Sequence, residues 1–108
     1  AFHFWSGSAD MDFSIEQSFT DLEPGTYELS AFSQGGDLSD DAYMDLYALV
    51  DGKELTAPFK LTTYADWQNP AIPEIKVTDG SLTIGVRYKC NVNSWGTLDD
   101  VTLYKIAE

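Results

Sequence analysis

Apolar and polar residues alternate along most of the chain, and turn residues separate the alternating stretches. A period of two is typical of β-strands that bury one face, because successive side chains point to opposite sides. The apolar positions that would share a buried side are Phe2 and Phe4; Met11, Phe13, Ile15 and Phe19; Tyr27, Leu29 and Ala31; Met44, Leu46, Ala48 and Val50; Ile75 and Val77; Leu82, Ile84, Val86 and Tyr88; and Val101 and Leu103. The pattern predicts an all-β protein.

Turn signals mark where these strands end. Glu23-Pro24-Gly25 is a turn sequence, and Asp51-Gly52 and Asp79-Gly80 are typical of tight β-hairpins. Several short antiparallel strands hide their apolar faces by stacking two sheets or by closing into a barrel. We therefore expect a β-sandwich of the jelly-roll type, with residues 1–108 forming a single domain.

The charge of the chain excludes two classes of partner. With 18 acidic and 6 basic residues, the formal net charge is −12. Nucleic-acid or anionic-membrane binding needs a basic surface, so we expect neither partner. The acidity is consistent with a soluble, secreted protein that binds a neutral or cationic partner, and equally with solubility alone.

Few residues offer catalytic or covalent chemistry. Cys90 is the single cysteine, so an internal disulfide is excluded, and His3 is the single histidine. A glycosidase needs two carboxyl groups facing each other across a cleft. Asp99 and Asp100 are adjacent in an extended segment, which predicts that their side chains point to opposite faces. We therefore expect a protein without catalytic activity.

Several aromatic and polar residues fall on the sides of the strands opposite the predicted core. They are His3, Trp5, Phe32, Gln34, Tyr43, Asp45, Tyr47, Arg87 and Lys89. A face exposed only to water seldom carries so many rings. Either the rings cover one another or lie under a loop, or they form a shallow trough that binds a neutral sugar. In a sugar site, a ring covers the C–H face of the pyranose while polar groups and water satisfy its hydroxyls.

The tryptophans favour the second alternative. Trp5 lies on the non-core side of its strand, whereas Trp67 and Trp95 lie in sequences that read as loops, DWQNP and NSWGT. The amides of Gln68, Asn69 and Asn93 flank these loop indoles. We predict that the tryptophans are stacking platforms, and that the glycine after Trp95 allows close approach of a ligand or strand.

The segments AFHFWS, PGTY-x-LSAFSQGGD, W-QNP, VTDGSLTIGV and NSWGTLDDVTLYK occur in this order along nearly the whole chain. Their order and spacing resemble the carbohydrate-binding modules of family 61, which occur on endo-β-1,4-galactanases and related secreted bacterial enzymes. The resemblance implies a jelly roll that binds β-1,4-galactan, has no activity of its own and delivers an attached hydrolase to its substrate. The site residues that it implies are His3, Trp5, Gln34, Gly35, Gly36, Trp67, Gln68, Asn69, Asn93 and Trp95, with Arg87 and Lys89 as further hydroxyl donors.

The resemblance also implies a structural calcium ion, with Asp99 and Asp100 as ligands. Modules of this kind have an additional N-terminal strand before the HFWS segment, and this sequence starts directly on that segment. We therefore expect a trimmed protein, or a second chain or fragment that supplies the strand.

Two rival functions stay open at this point. In the first, the domain is a structural or adhesion domain of a secreted protein, and the rings pack at a domain interface. In the second, the site binds a different plant glycan, such as arabinogalactan, xylan or a mixed-linkage glucan.

Overall fold

The computed structural model describes residues 2–107, which form eight β-strands. Their bounds are β1 Phe2–Trp5, β2 Met11–Phe19, β3 Gly25–Gly36, β4 Tyr43–Val50, β5 Lys53–Phe59, β6 Ala71–Val77, β7 Leu82–Cys90 and β8 Trp95–Ala107. No helix occurs in residues 2–107, and hence none that could cross a bilayer. The predicted all-β class is confirmed.

The strands form two antiparallel sheets that stack on each other. Sheet A has the order β1-β8-β3-β6, and sheet B has the order β2-β7-β4-β5. This exchange of strands between two four-stranded sheets is the jelly-roll arrangement. The predicted β-sandwich and its jelly-roll type are therefore confirmed.

The alternating apolar residues meet between the sheets. Leu29 of sheet A and Leu46 and Tyr88 of sheet B are fully buried there. The hydroxyl of Ser33 donates a hydrogen bond of 2.8 Å to the carbonyl of Thr97, and the hydroxyl of Tyr88 lies 2.9 Å from the Ser33 oxygen. Because Ser33 already donates its proton to Thr97, Tyr88 donates to Ser33. This chain of bonds joins the core of sheet B to the central strands of sheet A.

The hairpin between β4 and β5 follows its turn sequence. Asp51 and Gly52 have φ angles of 51° and 74°, and a tight two-residue hairpin turn requires positive φ at both positions. The strand that this turn leads into, β5, alternates the partly buried Leu55, Ala57 and Phe59 with exposed residues, one of which is Pro58. Its position at the edge of sheet B explains why a proline is tolerated.

Strand β8 starts earlier and extends further than the sequence indicated. It begins at Trp95, so the indole predicted to lie in a loop belongs to a strand. Strand β1 pairs only with residues 95–98 of β8, and beyond that point no described strand lies on the same edge of β8. Val101, on this edge, is exposed. The additional N-terminal strand stays a prediction.

Candidate functional site

The outer face of sheet A brings most of the predicted site residues together. Side chains on this face come from three neighbouring strands, β1, β8 and β3. The backbone pairing arranges them in cross-strand rows, which are Trp5, Trp95 and Gly36 in the first, His3, Thr97 and Gln34 in the second, and Asp99 and Phe32 in the third. Neighbouring rows are about 7 Å apart along the strands, so the face has the dimensions of an oligosaccharide rather than of a single sugar ring.

The first row contains two indoles outside the core. Trp5 is 65% exposed, and Trp95 is half-buried. A Cβ atom placed on Gly36 would lie 3.1 Å from Nε1 of Trp95, so the ring of Trp95 rests on backbone that has no side chain. Gly36 therefore acts by leaving room for the indole against the sheet. Gly35 allows close approach in the same way, because a Cβ atom there would lie 2.3 Å from the carbonyl oxygen of Trp95.

A turn directly before β8 sets the position of Trp95. The hydroxyl of Ser94 donates a 2.6 Å hydrogen bond to the carbonyl of Asn91. Asn93 adopts a φ of 69°, a conformation that asparagine tolerates better than most residues. Its N–H donates to the carbonyl of Ser6 at 2.7 Å. Asn93 is exposed, so its side chain is available beside the first row.

The segment between β5 and β6 adds two further rings to this face. Tyr64 is 74% exposed, and its ring centroid is 6.2 Å from that of Trp95. Trp67 is 41% exposed. We call Trp5, Phe32, Tyr64, Trp67 and Trp95 the aromatic face. The sequence reasoning missed Tyr64, because an isolated tyrosine in an irregular segment carries no periodic signal.

Polar groups of β3 hold this segment in place. Oε1 of Gln34 accepts a 2.5 Å hydrogen bond from the N–H of Ala65, which has a φ of 65°. The backbones of Ser33 and Gln68 pair in both directions, at 2.9 and 2.7 Å. Gln34, predicted to contact sugar directly, is thus engaged in positioning the segment that carries Tyr64 and Trp67. Asn69 is exposed at the end of the same segment.

The middle of the face is polar. Nδ1 of His3 and Oγ1 of Thr97 share a hydrogen bond of 3.0 Å. This contact fixes the orientation of the imidazole, and His3 is exposed. The other ring nitrogen, Nε2, is a hydrogen-bonding group at the centre of the face.

The far end of the face carries two carboxylates. Phe32, Trp67, Asp99 and Asp100 line a shallow cavity of about 260 Å³. The prediction that Asp99 and Asp100 point to opposite faces is wrong, because the β3–β8 pairing shifts register between Ser30 and Phe32. Asp100 has a φ of 48° in this bulge, and the regular alternation of side chains is lost there.

Two predicted site residues lie elsewhere. Arg87 and Lys89 belong to β7 in sheet B, so the structure does not bring them together with the tryptophans. Nε of Arg87 is 2.9 Å from Oδ1 of the buried Asp45, and Nη2 of Arg87 is 2.7 Å from Oε1 of Glu54. Hydrogen bonds to Asp45 and then to Glu54 raise the pKa of Arg87 above its ordinary value.

The outer residues therefore do not form one continuous trough. Tyr43, Asp45 and Tyr47 lie on the outer side of sheet B together with Arg87, whose guanidinium carbon is 4.4 Å from the centre of the Tyr47 ring. This group ties β4 to β7. Alternation along a strand separates inward from outward positions but carries no information about which sheet the strand joins.

The carboxylates at the far end do not by themselves fit a calcium site. Calcium in proteins takes about six to eight oxygen ligands, several of them carboxylates. Within residues 2–107, no group of three or more histidine, cysteine, aspartate or glutamate side chains converges. Oδ1 of Asp99 instead accepts a 2.9 Å hydrogen bond from the N–H of Asp100. The calcium ion stays a prediction from the resemblance.

Structural comparison connects this fold to known carbohydrate-binding proteins. TmCBM61, solved in complex with β-1,4-galactotriose, matches with a TM-score of 0.86 and 26% sequence identity, over 96% of this chain and 69% of that chain. The sequence-based resemblance to family 61 modules is thus confirmed by the structure.

Two more distant structures share the fold. The sugar-binding EclA C-terminal domain matches with a TM-score of 0.71 and 17% identity, over 95% of this chain and 76% of that chain. A family 16 carbohydrate-binding module matches with a TM-score of 0.66 and 13% identity, over 95% of this chain and 74% of that chain. No family model matches the sequence, and no curated protein does.

Proposed function

We propose that this chain, a module similar to those of family 61, is a non-catalytic domain that binds β-1,4-galactan through the aromatic face. The observation that carries the proposal is the first cross-strand row, in which Trp5 and Trp95 stand outside the core on paired positions of β1 and β8. The bound galactotriose in TmCBM61, the structure with a TM-score of 0.86, supports the choice of sugar.

The aromatic rings supply the apolar half of the interaction. A pyranose presents a C–H surface that an indole can cover, and burying it releases ordered water from both partners. Trp5 and Trp95 lie at one end of the face and Trp67 at the other, with Tyr64 next to Trp95. A bound galactan chain would therefore run over the aromatic face from the indoles of Trp5 and Trp95 toward the indole of Trp67, either across the strands or along them.

The polar groups supply discrimination between sugars. His3 in the middle row and Asn69 and Asn93 near the two loops are exposed and can pair with sugar hydroxyls. A hydroxyl with the wrong orientation leaves such a group unpaired, at a cost of about 1–3 kcal/mol. We assign the recognition of the axial O4 hydroxyl of galactose to His3, Asn69 and Asn93. Affinity should be modest, because the face is open and water competes for every hydroxyl.

We further propose that the module belongs to a secreted bacterial enzyme and brings an attached glycoside hydrolase to pectic galactan. A binding face without a catalytic role acts by raising the local concentration of the substrate around a tethered partner. The resemblance to modules found on endo-β-1,4-galactanases supports this assignment.

Affinity electrophoresis tests the sugar preference. The protein is run through gels that contain potato galactan, xylan or mixed-linkage β-glucan, beside a gel without polysaccharide. Retardation in galactan alone is the expected result. Retardation only in xylan or β-glucan would mean that the site binds another glycan. No retardation in any gel would favour the rival function, in which the rings pack at an interface with another domain.

A further inference from the structure

The ring of Trp5 lies over the loop that follows its own strand. A Cβ atom placed on Gly7 would be 2.6 Å from Cη2 and 2.9 Å from Cζ2 of the Trp5 indole. The three atoms nearest to that position all belong to this ring. Because non-bonded carbon atoms pack at about 3.5–4.0 Å, any side chain at position 7 would force the indole to turn away.

The backbone conformation of Gly7 does not by itself require glycine. Gly7 is not among the glycines with a positive φ, so an alanine could adopt the same backbone. Gly7 is also exposed, in the loop of residues 6–10 between β1 and β2. Exposed loop positions with an ordinary φ tolerate most residues. The contact that a side chain at position 7 would disturb is therefore the one with the Trp5 ring.

We infer that Gly7 is a positioning residue, which holds the Trp5 ring in the orientation that binds galactan. This inference rests on the proposed function, because Trp5 belongs to the aromatic face. The ring is largely exposed, so without this contact it would have to be ordered when the sugar binds. Immobilising a side chain on binding lowers the affinity. The contact with Gly7 orders the ring in advance.

Hydrogen bonds hold the loop of residues 6–10 against the turn that precedes β8. The carbonyl of Ser6 accepts the N–H of Asn93 at 2.7 Å. At the other end of the loop, Oδ1 of Asp10 accepts the N–H of Val92 at 2.8 Å. Gly7 lies between these two attachments, so the surface on which the indole rests is itself fixed.

The second indole of the first row lies against a glycine in the same way. The three atoms nearest to a Cβ atom placed on Gly36 all belong to the ring of Trp95, and Gly36 also lacks a positive φ. The two rings lean on different elements, Trp5 on the loop after β1 and Trp95 on β3. Each indole of the first row thus has a glycine whose missing side chain leaves room for it.

Gly7→Ala tests the inference. Its galactotriose affinity, measured by isothermal titration calorimetry, should fall by about two- to tenfold, the factor that corresponds to ordering one side chain on binding. Its melting temperature should be unchanged or slightly higher, because alanine at an ordinary φ reduces the freedom of the unfolded chain. Ser8→Ala changes the next exposed residue of the same loop. It is the matched control and should keep the wild-type affinity.

A double-mutant cycle shows whether the effect passes through the ring. Gly7→Ala introduced into Trp5→Ala should cause no further loss of galactotriose affinity, since the ring that it displaces is gone. An equal loss in both backgrounds would overturn the inference, because Gly7 would then act independently of Trp5. An unchanged affinity of Gly7→Ala in the wild-type background would overturn it as well.

NMR spectroscopy observes the contact without sugar. In the wild type, nuclear Overhauser effects should connect the Hη2 and Hζ2 protons of Trp5 with the Hα protons of Gly7. In Gly7→Ala, the indole N–H signal of Trp5 should shift more than that of Trp95. Absence of these Overhauser effects would overturn the inference even if galactotriose binds. Their presence in a protein that does not bind galactotriose would contradict the proposed function and leave the contact itself confirmed.

Discussion

Trp5 and Trp95 occupy directly paired positions on β1 and β8, and both side chains lie on the outer side of sheet A. Paired positions bring Cβ atoms to about 4.5–5.5 Å, so the two indoles form neighbouring parts of one surface. The ring of Trp95 lies against Gly36 of the next strand. Three strands thus cooperate to keep large aromatic rings outside the core.

The first prediction concerns these two rings. Trp5→Ala and Trp95→Ala should each weaken galactotriose binding by about 1–2 kcal/mol, roughly 5–30-fold in Kd, because each removes a stacking surface. The melting temperature of Trp5→Ala should change little, because Trp5 is exposed and exposed positions contribute less than about 0.5 kcal/mol to folding. Trp95→Ala should lower it more, because Trp95 is half-buried.

Tyr43→Ala is the control for this experiment, because it removes an exposed ring from sheet B. Its galactotriose affinity should equal that of the wild type. A large fall in the melting temperature of Trp5→Ala would mean that the ring supports the core instead of a ligand.

The second prediction concerns the bond between Gln34 and Ala65. Gln34→Ala removes the acceptor of the Ala65 N–H, at a cost of about 1 kcal/mol. The segment that carries Tyr64 and Trp67 should then exchange its amide hydrogens faster. Galactotriose binding should also weaken, even though Gln34 itself is buried, with 9% of its surface exposed.

Gln34→Glu keeps an oxygen acceptor at the same position and should restore slow exchange of these amides. If Gln34→Ala weakened binding without any change in amide exchange of residues 62–68, Gln34 would be a direct ligand of the sugar.

The third prediction separates the two sheets. Arg87→Met leaves the buried carboxylate of Asp45 without its cation, and removing one partner of a buried ion pair is strongly destabilising. Because the Arg87 side chain is 36% exposed, we expect a loss of roughly 2 kcal/mol in unfolding free energy, below the range for fully buried pairs. Urea denaturation measures this loss.

Galactotriose affinity of the folded Arg87→Met protein should equal that of the wild type, because Arg87 lies on sheet B. Loss of galactotriose affinity without loss of stability would mean that Arg87 contacts the sugar as a hydrogen-bond donor to its hydroxyls.

The fourth prediction is a pH dependence of stability. Burial raises the pKa of Tyr88 from 10.0 to about 12. The folded state therefore favours the neutral phenol, and this contribution is fully present below pH 10 and lost as the pH rises toward about 12.

The free energy of unfolding of the wild type, measured by urea denaturation, should thus fall between pH 10 and pH 12, and in Tyr88→Phe the fall should be smaller by roughly 2 kcal/mol. Tyr43 and Tyr47, whose pKa values are also raised, are present in both proteins, so the difference isolates Tyr88. Parallel pH profiles for the two proteins would contradict the assignment.

Alternation was sufficient to predict which residues of most strands point inward. It was insufficient where a bulge shifts the pattern, as at Asp100. The paired hairpin residues Asp51 and Gly52 could be recognised because their conformation depends on local sterics.

The candidate site was predictable only in part, because strand order is a long-range property. Trp5 and Trp95 are far apart in sequence and become neighbours through the jelly-roll pairing of β1 with β8. Arg87 has the same outward pattern but belongs to the other sheet. Tyr64 could be assigned only after the ring contact with Trp95 was known.

The most direct test of the central claim is the location of the bound sugar. In a titration of the isotopically labelled protein with β-1,4-galactotriose, followed by ¹H–¹⁵N NMR, the indole N–H signals of Trp5, Trp67 and Trp95 should shift together with the amides of residues 95–99. The side-chain signal of Arg87 on sheet B should stay in place. Shifts confined to sheet B, or indole signals that do not respond at saturating galactotriose, would contradict the account.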